Sequence, residues 1–126
     1  MKILMIGDVV GNPGRRILKE RLPQIRRDLG VVAVIANAEN AAAGSGITVP
    51  LANEIFAAGV DAITMGDHTW GQKEFVSTIG QLSNLVRPAN YPPAAPKAAG
   101  LARADRRASP FCFHRATTAR GKICLS

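Results

Sequence analysis

The sequence predicts an α/β fold on a mostly parallel sheet. Two features carry that expectation: short, continuously apolar β-branched runs, and amphipathic segments standing between them. Strands buried on both faces read as unbroken apolar runs rather than alternations. Parallel neighbours also need a crossover element, which the amphipathic segments supply. In order, the strands are expected at Ile3–Ile6, Val31–Ala36, Ala62–Met65 and Asn84–Val86. The first helix is expected to start with Asn12 as N-cap and Pro13 at its first position. Ile17, Leu18, Leu22, Ile25 and Leu29 then recur at helical spacing up to Gly30, with Pro23 predicting a kink or a break. Thr48 is placed to cap a second helix that buries Leu51, Ile55 and Phe56 and ends at Gly59. A short third helix is expected over about Gln72 to Ile79.

With 126 residues, the chain is long enough for one small domain with a real core. No run is apolar enough to span a bilayer, and Met1–Ile6 is too short for a signal-peptide core, so a cytoplasmic protein without membrane association is expected. Cys112 and Cys124 do not make a disulfide framework. The net charge of +7 is unevenly placed. Residues 1–96 hold nine Lys/Arg against eight Asp/Glu, while residues 97–126 hold seven against Asp105 alone. The basicity belongs to the tail, which lacks the aromatic interleaving of single-strand binders, so nucleic-acid binding is not favoured. Near Pro92 the texture turns to Pro/Ala and then Ala/Arg without periodicity. The organisation expected is a domain over residues 1–93 and a basic tail over 94–126, read as disordered or as out-of-frame translation.

The unusual polar residues stand after the four strands, where ligands bind in open α/β sheets. They fall in Gly7-Asp8-Val9-Val10-Gly11, Asn37-Ala38-Glu39-Asn40, Gly66-Asp67-His68-Thr69-Trp70 and Arg87-Pro88-Ala89-Asn90-Tyr91-Pro92. Three carboxylates on one rim repel each other unless a cation sits among them. Hard divalent ions take such oxygen ligands, and two of them can clamp a phosphate ester and activate water. His68 is placed to protonate a leaving oxygen. Taken singly, Asp8 could equally be a helix cap, Glu39-Asn40 an ordinary loop pair, His68 a packed side chain and Arg87 a surface charge. Convergence at neighbouring strand ends, which random loops would rarely produce, brings a metal-dependent hydrolase level with these readings.

These four motifs, in this order and spacing over residues 1 to about 93, resemble the YmdB-type phosphoesterases of the calcineurin-like superfamily. The resemblance implies that the chain is the N-terminal half of a four-layer α/β/β/α metallophosphoesterase sandwich. It also implies two divalent ions, iron or manganese, and hydrolysis of phosphodiesters such as 2′,3′-cyclic nucleotides by a metal-bridging hydroxide. By the same resemblance Asp8 is a ligand of the first ion, Glu39 bridges both, Asn40 and Asp67 are further ligands, and His68 is the catalytic acid. Arg87 and Asn90 lie in a matching motif as weaker candidates for substrate binding.

Two departures stand out. The family usually has Asn where this chain has Asp67, which adds a negative charge and should raise the pKa of the bridging water. The family's later His and His-x-His ligands have no counterpart here, His114 being unassigned. A sheet with one face left open is expected to fold poorly or aggregate. The alternatives are an inactive remnant or a nucleotide-binding module without catalysis, the latter on the loose Gly7-x-x-x-Gly11-x-x-Gly14 pattern. A homo-oligomer is left open.

Overall fold

The computed structural model describes residues 1–88, 90–92 and 94–96. Almost all of the expected tail, from residue 97 on, lies outside the described residues, as does His114. Strands β1 (Lys2–Ile6), β2 (Val31–Asn37), β3 (Ala62–Thr64) and β4 (Leu85–Val86) form one sheet in the order β1-β2-β3-β4. Every pairing is parallel, with Met5 opposite Ile35 and Ile63 opposite Leu85. Helices α1 (Gly11–Leu29), α2 (Val49–Ala57) and α3 (Phe75–Thr78) lie in the crossovers. The α/β fold class is the one expected.

Consecutive strand order fixes where the helices go. Right-handed crossovers that always step in the same direction put every helix on the same face. The core follows from this. Leu18 and Leu22 of α1, Ala52 and Ile55 of α2, and Phe75 of α3 pack on Val34, Ala36, Ile63 and Leu85 in one buried cluster. The opposite face carries Ile35 and Ala62 with Ile3 packed against them, and exposes Met5. Among the described residues there is one helix layer and one sheet.

The local signals fare unevenly. Thr48 does cap α2, its hydroxyl accepting from the Leu51 N–H at 3.4 Å, and Gly59 follows the helix at φ 109°. Asn12 does not cap α1. Val10 holds the cap position with no side-chain bond, and Asn12 lies inside the first turn. The reason is that the helix starts earlier: the Gly14 N–H, which an Asn12 cap would bind, already donates to the Val10 carbonyl at 3.1 Å, while the Gly11 N–H ahead of it ties to the Asn40 carbonyl at 3.0 Å. Pro23 does not break α1. Its ring is on the exposed side, while buried Leu18 and Leu22 hold the preceding half against the sheet and Arg26, paired with Asp61 at 2.9 Å, ties down the half that follows. The third helix is shorter than expected and continues as a 3-10 turn over Ile79–Gln81. Among the described residues no helix is long and apolar enough to cross a membrane.

Pro23 gives a direct test of this account of α1. Proline in a helix interior costs about 3 kcal/mol relative to alanine, part of which local bending recovers. Pro23→Ala is therefore expected to raise the urea midpoint, corresponding to about 1–3 kcal/mol. An unchanged midpoint would show that α1 contributes nothing to the cooperative unit.

Candidate functional site

β1 ends at Ile6, and the chain turns within two residues to present Asp8. Asp8 sits at φ 43°, in the left-handed region that a non-glycine residue enters at a cost of about 1–3 kcal/mol. Two contacts hold it there. Val9 is buried in the core, and its N–H donates to the Asn37 carbonyl at 2.9 Å. Strain stored at the carboxyl end of a strand is a mark of a working site.

The loop after β2 brings Glu39 and Asn40 to the same rim. The Asn40 carbonyl accepts from both Gly11 and Gly44 at 3.0 Å, so its backbone is fixed from two sides. Its side chain spans the rim. Nδ2 donates to Asp8 Oδ1 at 2.7 Å, and Oδ1 lies 2.6 Å from His68 Nδ1. A carboxylate only accepts, so Asp8 fixes which end of the amide faces it. The amide oxygen therefore faces His68, so Nδ1 carries the proton of that contact and donates it to Asn40. Sequence reasoning identified all three residues but not this relay, because a loop-to-loop hydrogen bond leaves no periodic trace.

After β3 the chain enters a 3-10 turn, Asp67–Trp70, that presents Asp67 and His68. Its docking depends on a missing side chain. A Cβ at Gly66 would overlap the Glu39 carboxylate, so only glycine lets that carboxylate lie against the backbone. Glu39 Oε2 then accepts from the His68 N–H at 3.1 Å. The two loops cross again where Gly71 meets the backbone of Ser45 and Gly46, with Gln72 Nε2 donating to the Ser45 carbonyl at 2.7 Å.

Glu39, Asp67 and His68 thus offer ligand atoms that all lie within 4.8 Å of one another. At that separation and an effective dielectric of about 20, two carboxylates repel by on the order of 3 kcal/mol before solvent screening. A cation among them reverses the sign. Two carboxylates this close suit a divalent first-row ion, so the residues present fit a metal. Asp8 and Asn40 flank the group through the hydrogen bonds above. The fourth motif behaves differently. Arg87 is turned to carbonyls, Nε donating to Pro96 and Nη1 to Pro88, each at 3.0 Å, and its guanidinium stands over the Tyr91 ring. No carboxylate among the described residues pairs with it. Asn90 is exposed. Tyr91, overlooked in the sequence, reaches the Gly66 and Asp67 carbonyls instead.

The Gly66 notch yields a test. Gly66→Ala should expel the Glu39 carboxylate and lower Mn²⁺ affinity by about 10–100-fold, the range for losing support of a ligand. Titration calorimetry would show this, with circular dichroism unchanged. Wild-type affinity in that variant would mean that Glu39 is not a ligand.

Comparison with known proteins identifies the family. The model of the YmdB-like protein family matches residues 4–108. The chain is 48% identical over 96 residues to the 2′,3′-cyclic-nucleotide 2′-phosphodiesterase of Bacillus subtilis (strain 168), covering 76% of this chain and 36% of that protein. A crystal structure of a hypothetical protein from Thermus thermophilus superposes with a TM-score of 0.68 at 42% identity, covering 76% of this chain and 37% of the other. A novel phosphatase from Mycoplasma pneumoniae gives a TM-score of 0.68 at 39% identity, covering 71% and 32%. The chain therefore spans about a third of the length of the relatives it matches. By sequence and fold it belongs to the YmdB-like family, in which the Bacillus subtilis relative is named a phosphodiesterase and the Mycoplasma pneumoniae one a phosphatase, both phosphoric ester hydrolases.

Proposed function

We propose that the rim built from Asp8, Glu39, Asn40, Asp67 and His68 is the metal-binding part of a phosphodiesterase centre. Its substrates are phosphodiesters such as 2′,3′-cyclic nucleotides, and its cofactors are two divalent ions, iron or manganese. The observation that carries this reading is the grouping of Glu39, Asp67 and His68 donors within 4.8 Å. The activity named for the Bacillus subtilis relative supports the choice of substrate. A cytoplasmic setting is part of the same reading.

In this reading each residue has a separate task. Asp8, Glu39 and Asp67 supply oxygen ligands, with Glu39 central because its strand β2 stands between β1 and β3. The Asn40 oxygen has a second lone pair beyond the one facing His68, so it can ligate while still orienting the ring. Divalent ions held here would offset the charge of a phosphodiester and activate a water for attack. With Nδ1–H held by the Asn40 oxygen, His68 in its imidazolium form carries a second proton on Nε2, and that is the proton it would pass to the leaving oxygen. The third carboxylate, Asp67, gives the rim one more negative charge than an asparagine there would, and so favours a cation more strongly.

A second reading starts from the same grouping of Glu39, Asp67 and His68 donors. A rim of this extent could bind metal or nucleotide without turning substrate over. The two readings separate on one assay, hydrolysis of 2′,3′-cyclic AMP by the full chain with Mn²⁺. The first reading expects hydrolysis that a chelator abolishes and that His68→Ala reduces by about 10²–10⁴-fold, as for loss of a general acid. Mn²⁺ binding without hydrolysis would establish the second. Absence of both would overturn the metal assignment itself.

A further inference from the structure

We propose that Tyr91 is a positioning residue, a clasp whose hydroxyl fastens the Gly66–Trp70 turn and so sets where Asp67 and His68 point. The inference rests on the metal-centre reading for its consequence, but its geometry stands on its own. The Tyr91 hydroxyl lies 3.1 Å from the Gly66 carbonyl and 3.2 Å from the Asp67 carbonyl. As donor, it has one proton to share between them. The Gly66 carbonyl already accepts from the buried Thr69 hydroxyl at 2.6 Å, which leaves Asp67 as the more demanding acceptor. That carbonyl belongs to the residue between the Glu39 notch and His68.

The rest of the segment after β4 holds the clasp in place. The Tyr91 ring packs at 59° against Trp70, with centroids 5.8 Å apart, at the far end of the same turn. On the Tyr91 ring stands the Arg87 guanidinium, 5.7 Å from the centroid, itself tied to the Pro88 and Pro96 carbonyls. Arg87 thus supports Tyr91, and Tyr91 grips both ends of the turn. A 3-10 turn of four residues has poor internal hydrogen bonding and little intrinsic rigidity. An external grip on its first two carbonyls is what makes it a fixed platform for two side chains. The segment Arg87–Tyr91 therefore acts on the site through the backbone of the neighbouring loop, not through contact with substrate.

The chain contains one tyrosine and one tryptophan, so both partners can be followed without interference. Tyr91→Phe keeps the ring and removes only the hydroxyl. In the metal-free full chain, amide exchange at Asp67–Trp70 should quicken by about three- to tenfold, the equivalent of one hydrogen bond. In a titration with cobalt(II) chloride, followed by quenching of Trp70 emission, the affinity should fall by the same factor. Two controls make the result specific. Ile55→Val, a core change remote from the site, should leave both readouts near wild type. Labelling with 3-fluorotyrosine, which enters only at position 91 and keeps the hydroxyl, should also preserve both. Unchanged exchange and affinity in Tyr91→Phe, or equal shifts in Ile55→Val, would overturn the clasp. If wild type takes up no cobalt, the metal reading fails, and the exchange data still decide whether Tyr91 holds the turn.

Discussion

The site depends on one steric constraint: the Glu39 carboxylate occupies the space where a side chain at position 66 would stand. Because residue 66 is glycine, the loop after β2 and the turn after β3 can touch backbone to side chain. From that contact the rest follows. The His68 N–H reaches Glu39, the His68 ring reaches Asn40, and Asn40 reaches Asp8. Three loops from three strands are joined by short polar contacts across a rim that otherwise concentrates negative charge. Those contacts orient the donors but do not neutralise them, which is why the rim is suited to cations.

The sheet makes this convergence possible. Four parallel strands in sequential order end on the same side, so their following loops are neighbours in space as well as in sequence. The core keeps the strand ends in register. Val34, Ile63 and Leu85 are fully buried under α1, α2 and α3, and the loops inherit that rigidity. The strained Asp8 is tolerated because Val9, next to it, is anchored in the same core. The opposite face, with Ile35, Ala62 and Ile3, is apolar as well, consistent with strands that read as continuous hydrophobic runs.

Much of this was legible in the sequence, for physical reasons that can be named. Buried parallel strands leave an unmistakable apolar signature, and the Thr48 cap and the Gly59 stop are local chemistry. The position of Asp8, Glu39, Asp67 and His68 after successive strands already suggested a common rim. What was not legible is what tertiary contacts decide. Asn12 loses its role as a cap because the helix starts earlier and the Val10 carbonyl already takes the Gly14 N–H. Pro23 is tolerated because Leu18 and Leu22 bury the other side of the helix. Arg87 read as a surface charge or a weak candidate for substrate binding, and nothing in the sequence showed that carbonyls and the Tyr91 ring would claim its guanidinium. The four-residue turn at Asp67–Trp70 has no periodicity to detect, and the Tyr91 grip on it is a contact over 24 residues or more.

The central claim is that the rim is a metal site centred on Glu39. Anomalous diffraction at the manganese edge, from crystals of the full chain grown with Mn²⁺, tests it most directly. The account predicts a peak bounded by the side chains of Glu39, Asp67 and His68. Ordered crystals with no peak at that rim, or with manganese held only elsewhere on the molecule, would contradict it.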